Sequence, residues 1–413
     1  MNKYIILFIF SIVFLNSCGV VSSILGGDYN NAIYDDGVLT YYDEYSSSIK
    51  RFKVINENNM IETKTFRTYA ESDNLIIYVE NGANVQRSSV SKIGYSFNKY
   101  YSDLVNTYGN HTDVDGNGKI NILLFSMNPA GASTVILGYF YPDDLILGNF
   151  NDAEILYMDV DLVNGIPDIM AGTILHELQH LINFNVNDIN KGISMDLWLN
   201  EALSESTSIL YSPTTVSSRI EEFNSMGGYY CFYTWYLPIA VFANYPSASV
   251  FMNWLYSASG NDKTVFRDIA SSSQINGYDK VLSSVSHRGM ASTWEELLLN
   301  WMEGIFSYQV SGVNPVFRRF GETVPLYPGA LVAYYGSLGS ISDNNLSTRK
   351  LNANIEIALN KDMYIGDSPS AINIQIPSSV NSMQYKSSSQ SGKPYVPKYK
   401  NILFGKDGKI KEY

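Results

Sequence analysis

The sequence predicts an α+β protein: a mixed sheet with one key helix behind it, a helical C-terminal subdomain, and a small β-rich appendage at the C-terminal end. Three observations lead there. Short apolar runs with strand character recur up to residue 160, among them Asn74–Glu80 (NLIIYVE) and Ile120–Phe125. Helical spacing appears at 91–108 among them, then at 167–184, and dominates beyond residue 190. After about residue 312 the composition shifts to Gly, Ser and Pro with short β-like runs.

The elements are read in chain order. Lys3 precedes eleven apolar or small residues, Tyr4–Phe14, too few to span a bilayer, which takes about 20, but suited to a signal segment. The run ends Leu15-Asn16-Ser17-Cys18, which resembles a bacterial lipobox, so residues 1–17 read as a lipoprotein signal peptide and Cys18 as the lipid-bearing residue. An ordinary secretory signal with an incidental cysteine is the alternative. Either way the chain is expected to be exported, held by lipid at the bacterial cell envelope or surface, or else secreted. Residues 18–70 read as an N-terminal extension of short strands and turns, with Gly26-Gly27 and Asp35-Asp36-Gly37 as breakers.

The core is expected over 71–310. Ser91–Tyr108 carries Ile93, Phe97, Tyr100, Tyr101, Leu104 and Tyr108 at helical spacing and stops before Gly109. Thr134–Tyr141 and Glu154–Val160 read as further strands. Pro167 opens a helix that runs to Phe184. Beyond it, Trp198–Leu210, the aromatic stretch Tyr229–Tyr256 and Thr293–Tyr308 read as helical. A β-rich region, 311–380, carries the runs Ala330–Tyr335, Asn354–Leu359 and Ala371–Ile376, and a Ser/Lys-containing tail occupies 381–413.

Bulk chemistry narrows the function. The chain of 413 residues has a net charge of −12, which argues against a nucleic-acid partner, since neutralising phosphates needs a basic stripe. Its two cysteines, Cys18 and Cys231, make no disulfide framework and no metal-spaced pair. Cys231, within an aromatic run, reads as a buried thiol.

The segment 171–184, AGTILHELQHLINF, contains His176-Glu177-Leu178-Gln179-His180. On a helix, positions i and i+4 share a face, so both imidazoles can ligate one zinc ion, with Glu177 beside them as general base. Chance would produce HExxH in roughly one of several hundred chains of this length. A catalytic zinc takes three protein ligands and keeps one position open. No Gly and His follow soon after His180, because residues 181–186 are LINFNV. Twenty-one positions on lies Glu201, in Trp198-Leu199-Asn200-Glu201-Ala202-Leu203-Ser204-Glu205.

That string resembles the gluzincin arrangement, in which a second helix supplies a glutamate ligand. The resemblance implies that Glu201 ligates zinc and that Glu205 and Asn200 support the site, Glu205 by accepting a ligand histidine's N–H. The order of the DxDGNGKxNILL segment, Gly138-Tyr139-Phe140, HELQHLINF and WLNEALSE is similar to the hyicolysin family of bacterial secreted metallopeptidases, over roughly residues 70–310. It implies a zincin-type fold, a zinc metallopeptidase domain at 71–310, and endopeptidase action on protein or peptide substrates. A GxMEN-like motif, expected of an aminopeptidase, is not seen. Such enzymes usually add a Tyr or His donor to the developing oxyanion, here His287 or a tyrosine of 229–236. Rival readings are a surface lipoprotein that uses a protease-like scaffold for binding, and a zinc amidase acting on cell-wall peptides.

A second metal is also suggested. Asp113, Asp115 and Asn117, with Gly118 and Ile120, match the first half of an EF-hand calcium loop, but Leu124 stands where the closing glutamate belongs. Either a partial calcium loop is completed from elsewhere, or the segment is an Asx/Gly turn feeding a strand.

Overall fold

Alternation of apolar and polar residues from Ile49 to Glu80 builds one side of a large sheet, and near-continuous apolar runs from Ile120 and Ile155 build its centre. The computed structural model describes residues 33–377, 402–404 and 410–412, apart from 45, 57, 59, 130–134, 226–228, 233–240, 337–342 and 364–369. The segment read as a signal peptide, Cys18, and most of the 381–413 tail lie outside the described residues. These residues fall into two compact units, one up to Asn190 together with Ile402–Glu412, and the other from Lys191 to Asn401.

The first unit contains strands β1 (Ile33–Asp35), β2 (Thr40–Tyr42), β3 (Ile49–Ile55), β4 (Ile61–Glu71) and β5 (Leu75–Glu80), then helix α1 (Arg87–Tyr108). Strands β6 (Ile120–Phe125), β7 (Gly138–Phe140) and β8 (Ile155–Asp159) follow, with helices α2 (Val160–Gly165) and α3 (Pro167–Asn183). The sheet is mixed, in the order β1-β2-β4-β5-β6-β8-β7, with β3 also paired to β4. The eleven-residue β4 gives one edge to β5 and shares the other between β3 and β2. β5, β6 and β8 run parallel, and β7 closes the sheet antiparallel to β8.

Every residue of β6 and β8 is buried, as expected of central strands covered on both faces. One apolar cluster is aromatic: Phe52, Phe66, Tyr78, Phe125, Tyr139 and Tyr157 pack edge-on or stacked. α1 and α3 pack on each other, and α3 also meets β7 and β8. Gly109 ends α1 at φ +115°, where a Cβ would stand 2.6 Å from Val186. α3 has Pro167 in its first turn and runs on through a π-helical turn, Phe184–Ile189. The buried amides there are satisfied: Asn187 donates to Asn183 Oδ1 at 2.7 Å, and Asn185 to Asn110 O at 2.8 Å.

The second unit contains α4 (Leu197–Tyr211), α5 (Pro213–Ser225), β9 (Tyr229–Tyr230), α6 (Val241–Ala258), α7 (Thr264–Ser271), α8 (Gly277–His287) and α9 (Trp294–Phe306). Strands β10 (Thr323–Leu326), β11 (Leu331–Tyr335), β12 (Leu346–Lys350), β13 (Ile355–Asn360) and β14 (Ile372–Gln375) complete it. They form an antiparallel sheet β12-β13-β11-β9 and the pair β10-β14. Tyr229 and Tyr230, read from sequence as the start of a helix, pair instead with Val332 and Leu331. Aromatic residues suit either state, and the partner strand a hundred positions on decides it. Cys231 is a buried thiol in the core of these strands. Among the described residues, no helix is long and apolar enough to cross a membrane.

The seat of α3 depends on Gly138. A Cβ there would stand 2.8 Å from Tyr157 O and from Met158 Sδ, and 3.4 Å from Thr173 Cγ2 on α3. Gly138→Ala is therefore expected to cost about 1–3 kcal/mol by overpacking, read by thermal or urea unfolding. Gly165→Ala, where a Cβ meets nothing within 4 Å, is the control and should be neutral or stabilising. Equal effects from the two would refute this account.

Candidate metal centre

α3 is buried from Met170 to Asn183, so the polar residues on it are withdrawn from water together with its leucines. The i, i+4 spacing stacks His176 and His180 on one face, with ring centroids 4.8 Å apart and planes at 77°. Their Nε2 atoms stand 3.2 Å apart. Two nitrogens each at the usual bond length from one tetrahedral zinc are held about 3.3 Å apart, so the pair is already spaced for a shared ion.

α4 carries Glu201 and Glu205 one turn apart, on a helix buried on most of its circumference. Ser206 and Thr207 satisfy their hydroxyls against Leu203 O and Ser204 O, which lets small polar residues sit in the interior. One ligand atom from each of His176, His180 and Glu201 lies within 4.8 Å of the other two. None of these three residues, nor Glu177, is more than 2% exposed. Two imidazoles and a carboxylate are a donor set for a borderline metal such as zinc.

Asn200 and Glu205 are buried as well. Both oxygens of Glu205 are engaged by Arg219 on α5, Oε2 by Nε at 3.0 Å and Oε1 by Nη2 at 2.9 Å. Arg219 also donates Nη1 to Glu222 at 3.0 Å and lies over the Tyr245 ring at 5.0 Å. A carboxylate has about four acceptor sites, so this grip leaves Glu205 capacity for a further donor. The buried carboxylates beside Arg219 raise its pKa against the opposing effect of burial. In sequence Arg219 reads as one of several charges on an ordinary surface helix, with no signal of this role.

The remaining sequence candidates are placed as follows. His287 is exposed at the last residue of α8. Tyr230 is buried, stacks on Phe223, and accepts from Val316 N at 3.2 Å; burial raises its hydroxyl to about 12. Tyr233, Tyr236 and the side chain of Tyr229 lie outside the described residues. Asp113, Asp115 and Asn117 lie in the loop before β6, where Gly118 N donates to Asp113 at 2.9 Å and the Asn117 amide to Asp115 at 2.7 Å. His111 bonds to the Tyr101 hydroxyl and to Thr112 O, which makes it a brace between α1 and this loop.

Removing one member of a buried ion pair strands the other charge. Arg219→Met is expected to lose about 3–5 kcal/mol in urea unfolding, and Arg219→Met/Glu205→Gln to recover part of it. A loss below about 1 kcal/mol would mean the pair is worth no more than a surface bridge.

No protein-family model matches the chain. It is similar to the neutral metalloprotease ShpI of Staphylococcus hyicus, at 27% identity over 239 residues that cover 54% of this chain and 54% of that protein. The chain thus spans about half the length of the curated relative it matches. This similarity supports a metalloprotease family for the chain, and the His-His-Glu triad is a donor set suited to the metal of such a protein.

Proposed function

We propose that this chain is a zinc-dependent endopeptidase acting on protein or peptide substrates, with His176, His180 and Glu201 holding the metal and Glu177 as general base. The observation that carries the reading is the convergence of two imidazole nitrogens and one carboxylate oxygen in a buried place, with a second carboxylate next to a ligand in sequence. Zinc held there would polarise a scissile carbonyl and lower the pKa of water.

The protein's own residues carry the proton. Glu177 accepts it from water as the water oxygen bonds to the carbonyl carbon. Glu177 then passes it to the amine nitrogen as the C–N bond breaks. Glu205, gripped by Arg219, is assigned to orient a ligand histidine through its N–H, with Asn200 supporting the same surroundings. On this reading residues 71–310 carry the peptidase chemistry, the strands within 33–71 belong to the same sheet as β5, and 311–380 is an addition.

Export belongs to the same proposal, motivated by Lys3, the apolar run to Phe14 and Leu15-Asn16-Ser17-Cys18. Residues 1–17 are assigned as a signal peptide and Cys18 as the site of a lipid that anchors the chain at a membrane. Detergent phase separation checks this: wild type should enter the detergent phase and Cys18→Ala the aqueous phase. Wild type found in the aqueous phase, starting beyond residue 18, would refute the anchor.

The catalytic assignment is tested by zinc content and casein hydrolysis together. Purified protein should hold about one zinc per chain and lose hydrolysis on chelation. Glu177→Gln should keep the metal and lose activity by about 10²–10⁴-fold. Glu201→Ala should purify largely without zinc, whereas Glu205→Gln should weaken affinity or activity by only about 10- to 100-fold. Near-normal turnover in Glu177→Gln would refute the base, and zinc retained in Glu201→Ala would refute the third ligand.

A further inference from the structure

The loop Asp113–Lys119 turns through two left-handed glycines, Gly116 at φ +70° and Gly118 at φ +68°, and delivers the chain into β6. Its would-be twelfth position, Leu124, is buried inside β6 and offers no oxygen side chain. The parallel pairing of β6 with β8 brings in another residue. Asn121 lies opposite Ile155, and Asn121 N donates to Glu154 O at 2.7 Å. Glu154, thirty and more positions away in sequence, is thereby held against the loop.

Its side chain points into the loop. Glu154 Oε1 accepts from Val114 N at 2.7 Å, between the two aspartates. One carboxylate oxygen from each of Asp113, Asp115 and Glu154 lies within 4.8 Å of the other two. Oxygens bound at about 2.3–2.6 Å to a single calcium ion lie within about 5 Å of one another, so the cluster has the size of one coordination shell.

Asp113 and Asp115 are exposed, and burial of Glu154 is what sets the cluster apart from a solvated acidic patch. Glu154 is fully buried, and its Oε2 has no hydrogen-bond partner among the described residues. Asn121, 1% exposed, donates Nδ2 to Asp115 at 3.3 Å and to Glu154 O at 3.2 Å, and its Oδ1 also has no partner among them. Among the described residues no lysine or arginine pairs with the three carboxylates; Lys119 turns to Glu71 at 3.3 Å. A buried carboxylate beside two others is costly unless a cation compensates it.

We infer that Asp113, Asp115 and Glu154 form a calcium site, in which a glutamate from the neighbouring parallel strand replaces the one an EF-hand loop would supply itself. The donors are hard oxygens with no sulfur, which selects calcium over zinc or copper. Asn117 lies in the same loop, but its Oδ1 already accepts from Lys119 N at 2.6 Å. The ion would tie the loop to the entry of β6 and β8. This site is independent of the peptidase reading.

The test uses the full chain, dialysed into calcium-depleted buffer with micromolar zinc present, then titrated with calcium chloride by calorimetry and thermal melting. We expect about one calcium per chain and a melting temperature about 5 °C higher at a hundredfold excess over Kd. Glu154→Gln and Asp113→Asn should each weaken calcium binding at least tenfold. Asp113 is exposed, so Asp113→Asn decides the matter if Glu154→Gln fails to fold. No bound calcium up to millimolar concentration, or wild-type affinity in Asp113→Asn, would overturn the site. An equal shift with magnesium would overturn its assignment to calcium.

Discussion

The constraint on which the first unit depends is that two imidazoles must meet on a helix with no solvated side. A surface helix needs one apolar stripe, whereas α3 is buried from Met170 to Asn183 and has to be covered all round. That requirement accounts for much of what surrounds it. α1 lies along it, and β7 and β8 lie against it. Gly138 removes the side chain that would hold the sheet edge off Thr173, and Gly109 does the same beside Val186. With α3 fixed in this way, the 3.2 Å approach of the two Nε2 atoms is a consequence of helical spacing and needs no adjustment of the backbone.

Burying polar groups on this scale has to be compensated, and the molecule does so by different chemistry in different places. Asp144 is fully buried, and burial pushes its carboxyl well above the usual range, although Tyr157 donates to it at 2.7 Å and Asn151 at 2.9 Å. Neutral donors and a raised pKa suffice there. Glu205 is matched by a full charge, Arg219, through two nearly equal hydrogen bonds. Glu222 shares that guanidinium, and burial still raises its pKa against the pull of Arg219. In the Glu154 cluster no lysine or arginine pairs with the carboxylates among the described residues, and Lys119 in the loop pairs with Glu71.

How far the sequence could be read follows from the distance over which each feature is determined. HExxH on an amphipathic helix is local, and one turn of helix suffices to pair the histidines. Strands β5, β6 and β11 announce themselves by composition, and α1 by its spacing, although it begins at Arg87, four residues before the apolar pattern does. Tyr229–Tyr230 could not be assigned from its own residues, because the pairing that makes it a strand lies with β11. Nor could the place of residues 49–71, which pair in the same sheet as β5. Arg219 and Glu154 were hidden for the same reason. Each looks like an ordinary charge at the start or flank of an element, and only helix packing or parallel strand register brings it to its partners.

The two acid-containing clusters also separate two metals by physical chemistry that does not depend on overall affinity. The α3 group offers two neutral nitrogens and one carboxylate, which leaves a divalent ion with net positive charge, as needed where negative charge develops on a substrate oxygen. Two loop carboxylates and Glu154 beside them would overcompensate the same charge and offer oxygen alone, which favours a large, hard ion and suppresses any Lewis acidity. Nitrogen ligands would be poorly used by calcium, and a flexible oxygen shell gives zinc little of the tetrahedral geometry it prefers. On the two proposals, donor type would place catalysis at the buried helix and bracing at the loop.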